Sequence, residues 1–150
     1  MDRVDRKILS LLQDDGRMST TDLASEVGLS LSSCHRRLKE LERSGAIERY
    51  RAVISPEAVG LGFETLVFVR MGHTTPEVIA EFESRVEEIP CIIEAQRLFG
   101  EPDFMLRVLV PDLAAFQRTY DTVLGSLPGV RRLDSTLVMK RIGTDREIPL

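Results

Sequence analysis

The chain has 150 residues, of which 43% are hydrophobic and 29% are charged, and its formal net charge is −4. No apolar stretch approaches the roughly 18 residues that a membrane-spanning helix requires, and the charged N-terminus does not resemble a signal peptide. The two cysteines are far apart in the sequence and there is no CxxC motif, which argues against a disulfide or a metal site. We therefore expect a cytoplasmic protein of one or two small domains, with no metal, no cofactor and no membrane partner.

The first third of the chain predicts three short helices. Residues 2–13 place apolar side chains at helical spacing. Ser19 can cap a second helix, and Gly28 follows the last apolar residue of that helix, where a left-handed residue commonly ends it. Ser30 can cap a third helix that runs to about residue 44. Two helices joined by so short a turn are typical of a helix-turn-helix, in which the second of them reads DNA.

The third predicted helix carries basic side chains on one face. On a helical wheel at about 100° per residue, Cys34 and Leu41 face the core, whereas Arg36 and Lys39 lie on the opposite side. Arginine binds guanine edges through two hydrogen bonds, and serine binds either base edge. The residues predicted to bind DNA are Ser30, Ser32, Ser33, Arg36, Arg37, Lys39 and Arg43. Arg37 lies on the flank, where it reaches either a phosphate or a neighbouring carboxylate. The alternative is that this face is only a solvated charged surface.

The negative net charge is not spread evenly along the chain. Residues 31–51 contain six basic and three acidic side chains, a net charge of +3, whereas residues 61–150 contain 10 basic and 14 acidic side chains. A local positive patch is what the neutralisation of DNA phosphates requires. The distribution therefore favours double-stranded DNA as the partner of the N-terminal part of the chain.

The segment after the third helix has the composition of a strand at residues 50–54, and Pro56 ends it. A strand at this position would form a wing beside the recognition helix, with Arg49 and Arg51 near the DNA backbone. We accordingly expect a helix-turn-helix domain at residues 1–50, a strand linker at residues 51–61 and a second domain at residues 62–150.

The second domain alternates strand and helix patterns in the order β-α-β-β-α-β, which is the ferredoxin-like arrangement. Strands are predicted at residues 63–71, 92–99, 104–110 and 130–142, and helices at residues 76–88 and 111–127. In the first strand Leu66 and Phe68 alternate with Val67 and Val69, so both faces are apolar. Since two helices cover only one face, we expect a second copy of the chain on the other. The predicted fold class is α+β, a winged helix-turn-helix followed by a ferredoxin-like βαββαβ domain.

Several phrases of the sequence, in their order and spacing, resemble the Lrp/AsnC family of bacterial and archaeal transcription regulators. They are DRKILSLLQDDGR, DLASEVGLS, RRLKELERSGAI, EAQRLFGEPDFMLRV and LPGVRRLDSTLVM, together with the linker at residues 56–60. The resemblance covers nearly the whole chain and implies a sequence-specific DNA-binding transcriptional regulator. It also implies a homodimer built through the C-terminal domain, usually assembled into an octamer, whose DNA binding responds to an amino acid effector.

The resemblance also implies an effector site, because family members carry a G-x-x-D pattern between the second and third strands. Gly100 and Asp103 match this pattern, although Pro102 stiffens the loop and removes one backbone donor. A glycine lets backbone N–H groups approach a carboxylate, and an aspartate pairs with an α-ammonium group. The implied effector-binding residues are Gly100, Glu101, Asp103, Ser135 and Thr136. The alternative is that residues 100–103 form only a hairpin turn.

Two other classes of protein are alternatives to an effector-responsive regulator. An architectural DNA-binding protein without an effector differs from it only at the loop pattern. An enzyme similar to the siroheme decarboxylases, which resemble this family, would need histidine or cationic side chains converging around a tetrapyrrole. His35 lies on the third helix and His73 follows a strand, and no nucleophile–base pair stands out. We therefore expect a protein that is not an enzyme.

Overall fold

The computed structural model describes residues 1–142 and 147–150 and divides the chain into two compact units. The first unit contains Met1–Val53 and the described part of Ile142–Leu150, and the second contains Ile54–Arg141. The C-terminal end, which the sequence assigns to a domain at residues 62–150, thus groups with the N-terminal unit; residues 143–146 of that domain lie outside the described residues. The attachment is visible at Ile148, whose backbone exchanges two hydrogen bonds with the Gln13 side chain.

The described residues of the first unit form three helices: α1 (Arg3–Asp14), α2 (Thr20–Val27) and α3 (Leu31–Arg43). Each begins after a side chain that accepts hydrogen bonds from the first backbone N–H groups, namely Asp2, Ser19 and Ser30. Gly28 has φ = 70° and ends α2 in the short turn that leads into α3. The structure thereby confirms the predicted helix-turn-helix.

The three helices pack around a small apolar core of Ile8, Leu23, Ala24, Cys34 and Leu41. Ile8 of α1, Leu23 of α2 and Cys34 of α3 are completely buried, so each helix contributes a side chain to the centre. Burial also raises the pKa of the Cys34 thiol, which keeps it protonated as a small apolar group. This packing fixes which side of α3 faces inward.

The segment after α3 contains no strand at residues 48–55, and a short 3₁₀ helix follows at Glu57–Val59. The predicted wing strand at residues 50–54 is therefore wrong. A strand is stable only when a neighbouring strand pairs with its backbone groups. The described part of the first unit consists of helices and connecting segments, so that part contains no strand that could pair with residues 50–54.

The second unit is a four-stranded antiparallel sheet with two helices. Its elements in chain order are β1 (Phe63–Met71), α4 (Pro76–Glu87), β2 (Ile92–Arg97), β3 (Phe104–Val110), α5 (Leu113–Thr122) and β4 (Val130–Leu137). The strands lie in the order β2-β3-β1-β4. This arrangement confirms the predicted α+β ferredoxin-like fold, although β4 ends at Leu137 rather than at residue 142.

One face of the sheet carries the core of this unit. Val67 and Val69 of β1 and Leu106 of β3 are completely buried there. The same cluster contains Phe82 of α4 and Phe116 of α5, so both helices contribute side chains to this core.

The opposite face of the sheet combines apolar and charged side chains. Leu66 is half-buried and lies opposite Arg107 in the register of β1 and β3. Arg107 Nε donates to Glu64 Oε1 at 2.6 Å, and Arg107 Nη1 donates to Glu94 Oε2 at 3.4 Å. Within one chain this face is therefore less apolar than the alternation in β1 alone predicts.

Candidate functional sites

The first candidate site is the N-terminal end of α3, where three serine hydroxyls cluster. Ser30 Oγ accepts from the backbone N–H of Ser33 at 3.3 Å and donates to Ser33 Oγ at 2.9 Å, and Ser32 Oγ lies 3.3 Å from Ser30 Oγ. Ser30 and Ser32 are exposed. Hydroxyl and backbone N–H groups at a helix N-terminus form a favourable environment for a phosphate.

The exposed side of α3 is the side opposite Cys34 and Leu41, as the helical wheel predicts. Three cations lie on this exposed side: Arg36, Lys39 and Arg43. Four side chains of the predicted DNA-binding set, Ser32, Arg36, Lys39 and Arg43, therefore share one accessible face of the helix-turn-helix. Such a face can enter the major groove of DNA.

Two of these cations are paired with carboxylates of the same helix. Lys39 Nζ lies 2.8 Å from Glu42 Oε2, and Arg43 forms two hydrogen bonds to the Glu40 carboxylate, at 2.7 and 3.1 Å. The hydrogen bond from Arg43 lowers the pKa of Glu40, and the one from Lys39 lowers the pKa of Glu42. Among the described residues Arg36 has no ion-pair partner. The three cations thus differ in how readily they can meet a phosphate or a base.

Arg37 has a different environment on the flank of α3. Its Nη1 lies 2.7 Å from Asp2 Oδ2 and 2.8 Å from Asp5 Oδ1, at the start of α1. The pKa of Asp2 is lowered by the backbone N–H of Asp5 and by Arg37. Of the two roles predicted for Arg37, the structure shows the contact to a neighbouring carboxylate, which joins α3 to α1.

The second candidate site surrounds the loop between β2 and β3. Gly100 has φ = 125°, a conformation that favours glycine. The Asp103 backbone N–H donates to Val69 O at 2.9 Å, and Asp103 Oδ2 accepts from the backbone N–H of Met71 at 2.7 Å. One oxygen of the Asp103 carboxylate therefore ties the loop to the end of β1.

A pocket of about 230 Å³ lies beside this loop. Its lining residues are Met71, Thr74, Ile79, Arg97, Leu98, Phe99, Gly100, Asp103 and Phe104. The lining includes the acidic residue Asp103, the basic residue Arg97, whose Nη1 lies 3.8 Å from Glu83 Oε1, and apolar residues of β1, α4 and β3. A carboxylate is complementary to an ammonium group, a guanidinium to a carboxylate, and apolar residues to an apolar side chain.

The structure does not bring all the predicted effector residues together. Glu101 is 78% exposed, lies outside the pocket lining and is paired with Arg70 at 3.3 Å. Ser135 lies opposite Val67 and Thr136 opposite Leu66 in the register of β4 and β1, so the two hydroxyls point to opposite faces of the sheet. The loop meets β1 further along, at residues 69–71, so within one chain neither hydroxyl lines the pocket.

Sequence patterns alone missed several pocket residues. Arg97, the last residue of β2, lies opposite buried Phe104, which places it on the helix-covered face. Phe99 is fully exposed beside the loop. The alternation of side chains along β2 indicates which residues share a face with Arg97. Deciding whether that face is the helix-covered one requires the register of β2 against β3.

Family models match both units. The model of the Lrp/AsnC ligand-binding domain matches residues 64–148, and a winged helix-turn-helix DNA-binding model matches residues 1–48. The chain belongs to the Lrp/AsnC family. As expected, it is a DNA-binding transcription regulator rather than an enzyme.

Individual Lrp/AsnC regulators match over nearly their whole length. The Bkd operon transcriptional regulator of Pseudomonas aeruginosa is 38% identical over 142 residues, which are 95% of this chain and 93% of that one. The transcriptional activator DecR of Escherichia coli is 33% identical over 150 residues, covering 100% and 99%. The crystal structure of a Neisseria meningitidis transcriptional regulator in complex with L-Met has a TM-score of 0.93 and 34% identity, covering 99% and 96%. In the part of this Lrp/AsnC chain that the structure describes, no helix has the length and apolarity to span a membrane.

Proposed function

We propose that α3 is the recognition helix of a sequence-specific transcription regulator and that its exposed basic face enters the major groove. The observation that carries this proposal is the burial of Cys34 and Leu41, which turns Arg36, Lys39 and Arg43 outward on one face. Arg36 would read a base edge, because it is not held by a carboxylate within the described residues.

The other predicted DNA-binding residues have supporting roles in this proposal. Ser30, Ser32 and Ser33 would place hydroxyl groups near a phosphate at the start of α3. Lys39 and Arg43 would neutralise phosphates after leaving Glu42 and Glu40. Arg37 would orient α3 through its bonds to α1 rather than contact DNA.

We propose further that the second unit binds a free amino acid with an apolar side chain in the pocket beside the β2–β3 loop. Asp103 would accept the ammonium group, and Arg97 and the backbone at Gly100 would bind the carboxylate. Met71 and Ile79 would contact the ligand side chain. The L-Met complex of the Neisseria regulator supports this ligand class, because that relative has an apolar amino acid as its ligand.

The proposal includes assembly and location. The sheet face that carries Leu66 and Phe68 would pack on a second copy of the chain in a cytoplasmic homodimer, and dimers would associate into octamers. The pocket is a shallow concavity at a loop, so a neighbouring chain would complete it. Glu101, Ser135 and Thr136 would then act from the edge of the site or from that neighbouring chain. Effector binding would favour whichever assembly completes the pocket, and DNA binding would follow.

The competing candidate is an architectural DNA-binding protein without an effector. It is favoured by the structural role of Asp103. The Asp103 carboxylate accepts a hydrogen bond from the Met71 N–H, and the Asp103 N–H donates one to the Val69 carbonyl. On that account residues 100–103 form a hairpin turn and the pocket has no ligand.

A thermal-shift panel of the free amino acids followed by calorimetric titration tests the effector. The key variant is Asp103→Asn, which keeps an oxygen acceptor for the Met71 N–H and removes the charge. It should weaken the best amino acid by about 1.5–3 kcal/mol. Glu81→Gln is the matched control, because it removes the same charge from an exposed residue of α4 outside the pocket lining. Equal loss in both variants would remove Asp103 from the site, and absence of binding by every amino acid would favour the architectural protein.

A further inference from the structure

Two acids of α3, the exposed Glu40 and the half-buried Glu42, lie next to the bases of its exposed face. Glu42 and Glu40 each neutralise a cation that the proposed DNA complex needs, Lys39 at 2.8 Å and Arg43 at 2.7 Å. The Lys39 and Arg43 side chains are 64% and 77% exposed. Ion pairs this exposed are weak in water, so a phosphate can displace either carboxylate at a modest free-energy cost.

Glu42 has a second contact that holds its carboxylate in place. Tyr50 Oη donates to Glu42 Oε1 at 3.4 Å, and the Glu42 side chain is 29% exposed. The hydrogen bond from Lys39 and the one from Tyr50 both lower the pKa of Glu42. Tyr50 belongs to the segment after α3, and the Tyr50 ring lies near Gly16. Glu42 is therefore fixed from two elements of the first unit.

We infer that Glu40 and Glu42 are specificity-determining residues, which reduce binding to arbitrary DNA more than binding to the matching site. The inference rests on the proposed placement of α3 in the major groove. Non-specific binding derives from phosphate neutralisation by cations. Cations that are already paired with Glu40 and Glu42 contribute less to it, because each must first leave its carboxylate.

At the matching DNA site a new contact compensates for the broken ion pair, whereas at other sequences no such contact forms. A carboxylate in the major groove can accept a hydrogen bond from the amino group of a cytosine. At a matching sequence the displaced Glu40 or Glu42 has such a partner, whereas elsewhere it faces phosphates or base acceptors without one. Specificity is a difference between two affinities, and the unpaired carboxylate lowers only the non-specific one.

The test compares charge-neutral variants in the full-length protein on two DNA duplexes. One duplex is selected from a random library by the wild-type protein, and the other is a random-sequence duplex of equal length. In Glu42→Gln and in Glu40→Gln, affinity for the random duplex should rise about two- to five-fold. Affinity for the selected duplex should stay level or fall, so the ratio of the two affinities decreases. The salt slope of non-specific binding should steepen by about one.

Two further variants make the result interpretable. Glu81→Gln removes the same charge from an exposed position on α4 in the second unit and should leave the affinity ratio unchanged. Tyr50→Phe removes only the hydrogen bond to Glu42 and should lower the affinity ratio less than Glu42→Gln does.

The inference is overturned if Glu40→Gln and Glu42→Gln leave the affinity ratio unchanged, as Glu81→Gln is expected to do. Arg36→Ala separates this failure from the failure of the proposed function, since undiminished binding of Arg36→Ala to the selected duplex would mean that α3 does not read the bases.

Discussion

The carboxylate of Asp103 accepts a hydrogen bond from the backbone N–H of Met71 at 2.7 Å. This bond joins the loop that lines the proposed effector pocket to the last residue of β1. The residue proposed to bind a ligand charge thus also shapes the end of the sheet. The proposed effector binding and the local stability therefore depend on one side chain, and variants at this position separate the two.

The first prediction concerns stability at Asp103. Asp103→Ala leaves the N–H of the buried residue Met71 without its partner and should lower the free energy of unfolding by about 1–3 kcal/mol. Asp103→Asn retains an oxygen acceptor and should lose less than half as much. Urea unfolding followed by circular dichroism measures both. Equal stability of Asp103→Ala and the wild type would show that the hydrogen bond contributes nothing.

The second prediction concerns the basic face of α3. Arg36→Ala should weaken binding to a selected duplex by about 1–3 kcal/mol, because it removes a contact to a base. Lys39→Ala should instead reduce the salt slope by about one, because it removes a phosphate contact. Fluorescence anisotropy at several salt concentrations gives both quantities. An unchanged affinity of Arg36→Ala would contradict its assignment.

Arg37→Ala is a matched comparison on the same helix. Arg37 joins α3 to the start of α1 through Asp2 and Asp5, so its removal should lower the melting temperature of the protein. Arg36→Ala should leave that temperature unchanged, because Arg36 makes no ion pair among the described residues. A lower melting temperature for Arg36→Ala than for Arg37→Ala would contradict the assignment of Arg37 to helix packing and of Arg36 to DNA contact.

The extent to which the sequence predicts the structure depends on the range of the interactions. The caps at Ser19 and Ser30 and the left-handed Gly28 were predictable, because each is set by neighbours within a few residues. The wing strand at residues 50–54 failed, because composition reports strand propensity and not the presence of a partner strand. The βαββαβ order was predictable from the alternation of the two periodicities.

The candidate sites show the same limit. The outward face of α3 follows from helical spacing, and the pairs of Lys39 with Glu42 and Arg43 with Glu40 follow from their separation of three residues. Arg97 reaches the pocket only through the register of β2 on β3. The separation of Ser135 and Thr136 onto opposite faces likewise required the register of β4, since a shift of one residue exchanges the faces.

The third prediction concerns acid stability at Glu64. Burial opposes ionisation of Glu64, but hydrogen bonds from Arg141 and Arg107 outweigh it and lower its pKa below the ordinary value of 4.5. A lowered pKa in the folded state stabilises the protein above the unfolded-state value, and this contribution disappears as the pH falls through the folded-state value. Glu64→Gln should therefore destabilise the protein at neutral pH and have little effect at a pH well below the folded-state pKa of Glu64. Urea unfolding at neutral pH and at such an acidic pH measures this difference, with the exposed Glu81→Gln as control. A pH-independent difference would contradict the ion-pair explanation.

The fourth prediction concerns the open face of the sheet. Phe68 is half-buried in one chain, and in the proposed dimer it would be covered by the second copy. Phe68→Glu should place a charge in that interface and convert the protein to monomers in light scattering at micromolar concentration. Val53→Glu, at a position that is 71% exposed in the first unit, should leave the oligomer intact. An unchanged oligomer in Phe68→Glu would place the contact elsewhere.

The most direct test of the central claim is the effect of an amino acid on DNA binding. Affinity for a selected duplex is measured by fluorescence anisotropy with and without the best amino acid from the panel, for the wild type and for Asp103→Asn. We expect the amino acid to change the affinity of the wild type. Asp103→Asn should bind DNA normally but require far more of the amino acid for the same change. A wild-type affinity that no amino acid alters would contradict an effector-responsive regulator.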